Sequence, residues 1–152
     1  MSDRRAKGRV WFERVMGMPA PTIASDPFFD ATVDHLFAEV WSRPGLSVRD
    51  RRLVTLTLLI QLGNENALRI HLGATMRQRQ LTDLELDELI LHVAHYAGWP
   101  GAAMASQIVR QLRAERSAAG QPPTGKTTVA SGRARRSPGP GRGGRKVPTK
   151  RR

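Results

Sequence analysis

The chain has 152 residues, of which 39% are hydrophobic, and it contains no cysteine. This length allows one domain with a buried core, and the lack of thiols excludes disulfides, thiolate metal sites and dithiol redox chemistry. The net charge of +12 is concentrated at one end, because residues 117–152 carry ten Lys or Arg and no Asp or Glu, whereas residues 1–116 carry fifteen basic and thirteen acidic side chains.

The N-terminal part predicts two helices joined by a proline-rich link. The first helix is expected over about 4–16, and with the link it forms an N-terminal segment at 1–25. Asp26 followed by Pro27 is typical of a helix N-cap and first helical residue. The second helix therefore begins there, and it ends before Pro44.

A third helix begins near Ser47, which forms a capping-box pattern with Asp50 in place of the usual glutamate. Its apolar residues surround most of the helix: Leu53, Val54, Leu56, Leu58, Leu59, Ile60 and Leu62. A helix that is apolar nearly all round needs covering on all sides, which one small domain would struggle to provide. We therefore expect a homo-oligomer.

Three more helices complete the predicted fold. The fourth covers about 65–79, and a capping box from Thr82 to Glu85 opens the fifth, which ends at Gly98. The last helix runs from near Pro100 to about 116, with Ile108, Val109 and Leu112 facing inward. Because no useful alternating strand pattern is present, the sequence predicts an all-α bundle of about six helices, with the main domain at 26–116.

Residues 117–152 differ sharply in composition from the rest. Val129 and Val147 are their only large apolar residues, too few to offset the entropy of ordering the segment. We expect this tail to be disordered. Its basic clusters are suited to weak polyanion binding through counterion release, and the alternative is a solvated tail of little consequence.

The chain shows no sign of membrane targeting. Its charged N-terminus is not followed by the apolar run of a signal peptide, and the longest apolar stretch, residues 53–62, is too short to span a membrane. We expect a cytoplasmic protein.

Two histidines, His71 and His92, lie in predicted helices. Imidazole is well suited to move protons near neutral pH, so the pair favours acid–base or electrostatic chemistry. His71 is alternatively a core histidine bound to the backbone. His92, Tyr96 and Trp99 are spaced at i, i+4 and i+7 and so share one side of a helix, which indicates either a pocket wall or ordinary packing. His95 lies three residues after His92, but no third ligand is evident, so no metal site is expected.

Three segments carry motifs in a fixed order. Residues 40–55 are similar to Trp-X-Arg-Pro-Gly-Leu followed by Arg-Ser-Leu-Val-Thr, residues 63–72 to Gly-Arg-Glu-X-Glu-Leu-Arg-X-His, and residues 91–100 to Leu-His-X-X-X-Tyr-Ala-Gly-X-Pro. Together they resemble the carboxymuconolactone decarboxylase family, within the alkyl hydroperoxidase D-like superfamily. The resemblance covers roughly 8–115 and implies that fold and a trimer or hexamer.

The chain departs from the family pattern at several positions. Asn64 and Gly73 each replace an arginine, and Arg52 replaces a serine. The usual Asn-Gly turn after the fourth helix is replaced by residues 78–81, one residue longer, which include Gln80.

The redox branch of this superfamily uses two cysteines and a histidine. If His71 matches that histidine, the cysteine positions are Asn64 and Ala67. This argues against hydroperoxide reduction.

The resemblance implies a carbon–carbon lyase that removes carbon dioxide from a small anionic lactone in aromatic catabolism, as 4-carboxymuconolactone decarboxylase does. No cofactor is needed, because the remaining electrons delocalise through the butenolide into its carbonyl. The enzyme must hold carboxylates, stabilise a developing oxyanion and deliver one proton.

The family motifs suggest roles for individual residues. His71 is the expected proton donor or oxyanion partner, and Glu65 orients or tunes charge beside it. Arg51 and Arg69 suit bidentate binding of carboxylates, although Glu65 and Arg69 are spaced to pair with each other. The other expected substrate contacts are His92, Tyr96, Trp41 and Trp99.

Several of these side chains have simpler interpretations. Trp41 is also a natural core residue. We expect solvated charges at Arg49, Arg52, Arg77 and Arg79. The alternative functions are a family member with another small acidic substrate, a non-catalytic oligomeric binding protein, and a polyanion-binding protein that acts through its tail.

Overall fold

A computed structural model describes residues 2–23 and 26–124, and this part of the chain is helical without strands. The elements are α1 (Asp3–Met16), α2 (Pro27–Ala31), the π-helix π1 (Thr32–Trp41), α3 (Val48–Gln61), α4 (Glu65–Arg77), α5 (Asp83–Ala97) and α6 (Trp99–Ala118). The predicted all-α fold is confirmed. Among these elements, no helix has both the length and the apolar character needed to cross a membrane.

Helix starts follow the capping residues expected from the sequence. Asp26 accepts hydrogen bonds from backbone N–H groups of the first turn of α2. Ser47 accepts one from the backbone N–H of Asp50, and Thr82 and Glu85 form the reciprocal capping box of α5. These side chains satisfy donors that a helix N-terminus otherwise leaves unpaired.

The second predicted helix is continuous but changes geometry. The short α2 passes directly into π1, whose i→i+5 hydrogen bonds are rare over such a length. Both geometries return side chains to one face every few residues, so the apolar pattern predicted a single α-helix. Close packing positions π1 against α1, because a Cβ at Gly8 would lie 2.1 Å from the carbonyl oxygen of Val33.

The apolar core has two parts. One joins α1 and π1 and includes Phe12, Val15, Met16, Ala20, Phe37 and Trp41. The other lies among α3, α4, α5 and α6 and includes Leu56, Ile60, Leu72, Leu86, Ile90, Ile108 and Val109, with Leu112 packed against it.

α3 carries apolar side chains on two faces, whereas the sequence predicted an apolar surface nearly all round. Leu56 and Ile60 are buried, whereas Val54, Leu58 and Leu62 are exposed and recur every fourth residue along one side. The other described residues of the chain therefore leave one apolar row of this helix uncovered.

Order extends past the predicted domain boundary at Arg116. α6 ends at Ala118, and the buried Thr124 accepts a hydrogen bond from the backbone N–H of Asp83 (2.9 Å) and one from Arg116 (2.6 Å). These two polar contacts hold the segment, although its composition predicted disorder. Residues 125–152 lie outside the described residues, so disorder and polyanion binding there stay predictions.

Candidate active site

His71 lies on α4 and is half-buried. Its Nδ1 is 2.5 Å from Nη1 of Arg52, a residue of α3. Because a guanidinium only donates hydrogen bonds, Nδ1 must be the acceptor. An imidazole that accepts at Nδ1 is the neutral tautomer with its proton on Nε2.

Arg52 is 0% exposed, so the predicted solvated charge is wrong at this position. Its Nε donates to Oε1 of Gln80 (2.9 Å), and its Nη2 donates to the carbonyl oxygen of Val15 (2.5 Å). The fixed fork of a guanidinium suits acceptors arriving from several directions. Here they come from the end of α1, from α4 and from the loop between α4 and α5.

Trp41 at the end of π1 packs against the same guanidinium. The Cζ atom of Arg52 is 5.4 Å from the centroid of the indole ring, within the range of a cation–π contact. Trp41 is buried and also stacks on Phe37. It is thus a core residue that contacts the polar group formed by Arg52, His71 and Gln80, which we call the His71 cluster.

The electrostatics of the His71 cluster favour a neutral imidazole. Burial, and then the positive charge of Arg52, lower the pKa of His71 to about 4. Burial, and then the charge of Arg77, also lower the pKa of Arg52, to about 10. At neutral pH the imidazole is therefore uncharged and the guanidinium remains a cation.

A cavity of about 210 Å³ lies between π1 and α3. Its lining includes Leu36, Val40, Trp41, Leu46, Arg51 and Val54. Arg51 donates from Nη2 to the carbonyl oxygen of Arg43 (3.2 Å), whereas its Nε–H is buried and has no hydrogen-bond partner among the described residues. Buried donors are nearly always paired, so this N–H is suited to an acceptor on a ligand.

Neither Arg69 nor Glu65 is among the described contacts of His71. Arg69 donates to Gln111 (2.8 Å) and forms an ion pair with Glu115, both on α6. Glu65 is exposed in the first turn of α4. Arg69 therefore pairs across to α6 and not with Glu65.

The remaining predicted site residues lie on the outer side of α5 and at the start of α6. The ring centroids of His92 and Tyr96 are 4.7 Å apart, and those of His95 and Trp99 are 5.9 Å apart. Tyr96 is 82% exposed and Trp99 66%. Within the described parts of the chain, no hydrogen bond or ring contact joins this outer row to His71.

The departures from the family motifs have structural explanations. Asn64 caps α4 by accepting a hydrogen bond from the backbone N–H of Ala67 (3.1 Å). Gly73 leaves room for Arg77, since a Cβ there would lie 3.1 Å from the Nη1 of that arginine. Arg52 and Gln80 were not assigned to the site from the sequence, and Arg52 donates to both Gln80 and His71. Both residues depart from the family motifs, and this shared departure was the sequence signal that could have identified them.

Comparison with known proteins bears on the activity. The sequence model of the "Carboxymuconolactone decarboxylase family" matches residues 26–111. A 4-carboxymuconolactone decarboxylase of Acinetobacter baylyi is 45% identical over 76 residues, which are 50% of this chain and 56% of that protein. The nitrosuccinic acid decarboxylase npaB of Metarhizium robertsii is 38% identical over 72 residues, which are 47% of this chain and 49% of that protein. The chain spans about half the length of these two relatives. It belongs to the carboxymuconolactone decarboxylase family.

Proposed function

We propose that the protein is a cofactor-independent decarboxylase that acts on a small carboxylated lactone of the 4-carboxymuconolactone type. Membership of the family supports this, as do the names of both relatives, which denote decarboxylases of small acids. The observation that carries the proposal is the buried Nε–H of Arg51, which lacks a partner in the described structure and belongs to a side chain lining a cavity with apolar walls.

The proposed reaction needs few groups. The carbon–carbon bond to one carboxylate breaks, carbon dioxide leaves, and the electron pair passes through the unsaturated lactone to its carbonyl oxygen. A proton then adds to carbon. Arg51 holds a carboxylate through a charge-assisted hydrogen bond.

His71 is the proposed N–H donor to the developing oxyanion, although its side chain does not line the cavity beside Arg51 in the described structure. The imidazole is connected to the cavity through two contacts, because Trp41 lines the cavity and packs on Arg52, which binds Nδ1 of His71. Glu65 stays the proposed charge-tuning group at the start of α4.

We propose that the working form is a homo-oligomer, with a trimer or hexamer as the assembly that the family resemblance implies. Val54 belongs both to the exposed apolar row of α3 and to the wall of the cavity beside Arg51. A second subunit that covered this row would also close the cavity. In such an assembly, the exposed His92, Tyr96 and Trp99 and the half-buried Arg69 are the candidates for further substrate contacts.

The test is decarboxylation of 4-carboxymuconolactone by the purified full chain, followed as loss of the ultraviolet absorbance of the lactone. We expect Arg51→Gln to lower kcat/KM about 10- to 100-fold, because a hydrogen bond to a charged group is worth roughly 1.5–3 kcal/mol. Arg49→Gln is the matched control, since Arg49 lies on the same helix and forms a surface ion pair with Glu85, and it should retain parental kinetics.

Two results would contradict the proposal. One is a folded parent protein that does not turn over the lactone. The other is an Arg51→Gln variant with parental kcat/KM, which would remove Arg51 from substrate binding.

A further inference from the structure

The His71 cluster constrains the protonation state of its imidazole through geometry. The guanidinium of Arg52 is held by Gln80, by the carbonyl oxygen of Val15 and by the ring of Trp41. It cannot turn away from His71 without losing contacts to three other segments. It has no acceptor to offer, so it accommodates only an imidazole whose Nδ1 carries a lone pair.

We propose that Arg52 is a positioning residue that holds His71 as the neutral Nε2–H tautomer, so that at neutral pH the imidazole donates a hydrogen bond to the reacting oxyanion and does not supply the proton as an imidazolium. The oxyanion part of this inference rests on the proposed decarboxylase function. The tautomer part rests on the contacts of the His71 cluster alone.

The charged groups around the cluster favour the neutral form. Arg52 faces it from α3, and Arg77 from α4 itself, where it donates to the carbonyl oxygen of Met16 (3.1 Å). On α6, which also packs on α4, Glu115 is engaged by Arg69. Within the described residues, no carboxylate pairs with Arg52, Arg77 or His71.

Protonation of His71 would oppose this arrangement in two ways. It would put a proton on the only described atom that accepts from Nη1 of Arg52, and it would place a second positive charge beside a buried guanidinium. A neutral imidazole is a weak acid, so its remaining Nε2–H is suited to stabilise negative charge and not to transfer a proton. The proton added to carbon then comes from water or from another acid.

The direct test is nitrogen-15 NMR of the imidazoles in the full-length protein, which distinguishes the two tautomers and the protonated ring. We expect His71 to remain the Nε2–H tautomer from pH 8 to about pH 5. In Arg52→Ser, which installs the residue usual in the family motif, the midpoint of His71 titration should rise by about one pH unit or more. Arg49→Ser, on the surface of the same helix, should leave it unchanged. An Nδ1–H tautomer in the parent, or an unchanged midpoint in Arg52→Ser, would overturn the proposal.

A second variant guards against loss of folding in Arg52→Ser. Gln80→Glu keeps the guanidinium and its contact with His71 but adds a carboxylate to the cluster. Because the added negative charge offsets that of Arg52, the midpoint of His71 should rise while the tautomer stays Nε2–H. A midpoint that does not move would contradict the electrostatic role of Arg52.

The pH dependence of turnover tests the oxyanion part separately. If the neutral imidazole is the active form, kcat should not fall between pH 6 and pH 8. A kcat that falls as pH rises through the ordinary titration range of histidine, about 6.5, would show that an imidazolium is required. The NMR spectra need no substrate, so failure of the proposed lactone chemistry would leave the tautomer result intact and distinguishable.

Discussion

The His71 cluster with Trp41, and the outer row of rings on α5 and α6, differ in where the partners of each side chain lie in the chain. His71 binds Arg52 from another helix, and Arg52 in turn binds Val15 and Gln80 from two further segments. In the outer row, His92 contacts a ring only one helical turn away, and so does His95. Contacts from several segments can fix one orientation and one tautomer of a ring. A pair of exposed neighbours on one helix leaves both rings hydrated and gains little free energy.

Two tryptophans, one from each group, should show the largest difference. Trp41→Ala removes a buried ring that joins π1 to Arg52, and we expect it to lower the free energy of unfolding by about 3–5 kcal/mol. Trp99→Ala removes a ring that is 66% exposed, and its effect should lie within about 0.5 kcal/mol. Urea denaturation of both variants measures this. A comparable loss in Trp99→Ala would mean that another subunit buries that ring. The difference between the two tryptophans would then hold only for an isolated chain.

The dependence of the free energy of unfolding on pH should distinguish His71 from His92, by a smaller free energy than the one that separates the two tryptophan variants. In the unfolded chain a histidine titrates near 6.5, whereas burial and Arg52 lower the pKa of folded His71 to about 4. Between these values the unfolded state binds more protons, so the free energy of unfolding falls as pH decreases. We expect His71 to account for a loss of about 2 kcal/mol between pH 7 and pH 4.5.

Matched variants isolate this contribution. His71→Gln should lack the loss, and His92→Gln should show the same pH dependence as the parent. Carboxylates such as Asp83 and Glu85, whose pKa values are lowered by arginine and backbone partners, destabilise every variant alike when they are protonated. The measurement is chemical denaturation at both pH values. An identical loss in His71→Gln would contradict the lowered pKa of His71.

The sequence predicted what depends on near neighbours. Helix starts at Asp26, Ser47 and Thr82 were predictable because each cap bonds within three residues of itself. The burial of Arg52 was not, because its acceptors on Gln80 and Val15 lie 28 and 37 residues away along the chain. An isolated arginine in a helix is usually solvated, and only the folded chain brings those acceptors together.

The candidate site divides in the same way. Motif resemblance singled out His71, Arg51 and Trp41, which are linked through Arg52 and the cavity. It also singled out Arg69, which pairs with Glu115 on α6 instead. Spacing along α5 correctly placed His92 next to Tyr96. Sequence spacing does not indicate whether this row of rings faces the interior, since that depends on how α5 packs against its neighbours.

The exposed row of α3 should show the smallest effect on the fold of one chain and the clearest effect on assembly. Leu58 is 55% exposed, so Leu58→Glu should change the stability of a single subunit by no more than about 0.5 kcal/mol. A carboxylate buried between subunits without a partner is strongly unfavourable, so the mass measured by sedimentation equilibrium should fall towards that of one chain. Val10→Glu on α1, where the parent side chain is 65% exposed, is the control and should keep the parental mass. A monomeric parent protein would refute the homo-oligomer. A Leu58→Glu variant of parental mass would show that the interface lies elsewhere, so that no second subunit covers the cavity beside Arg51.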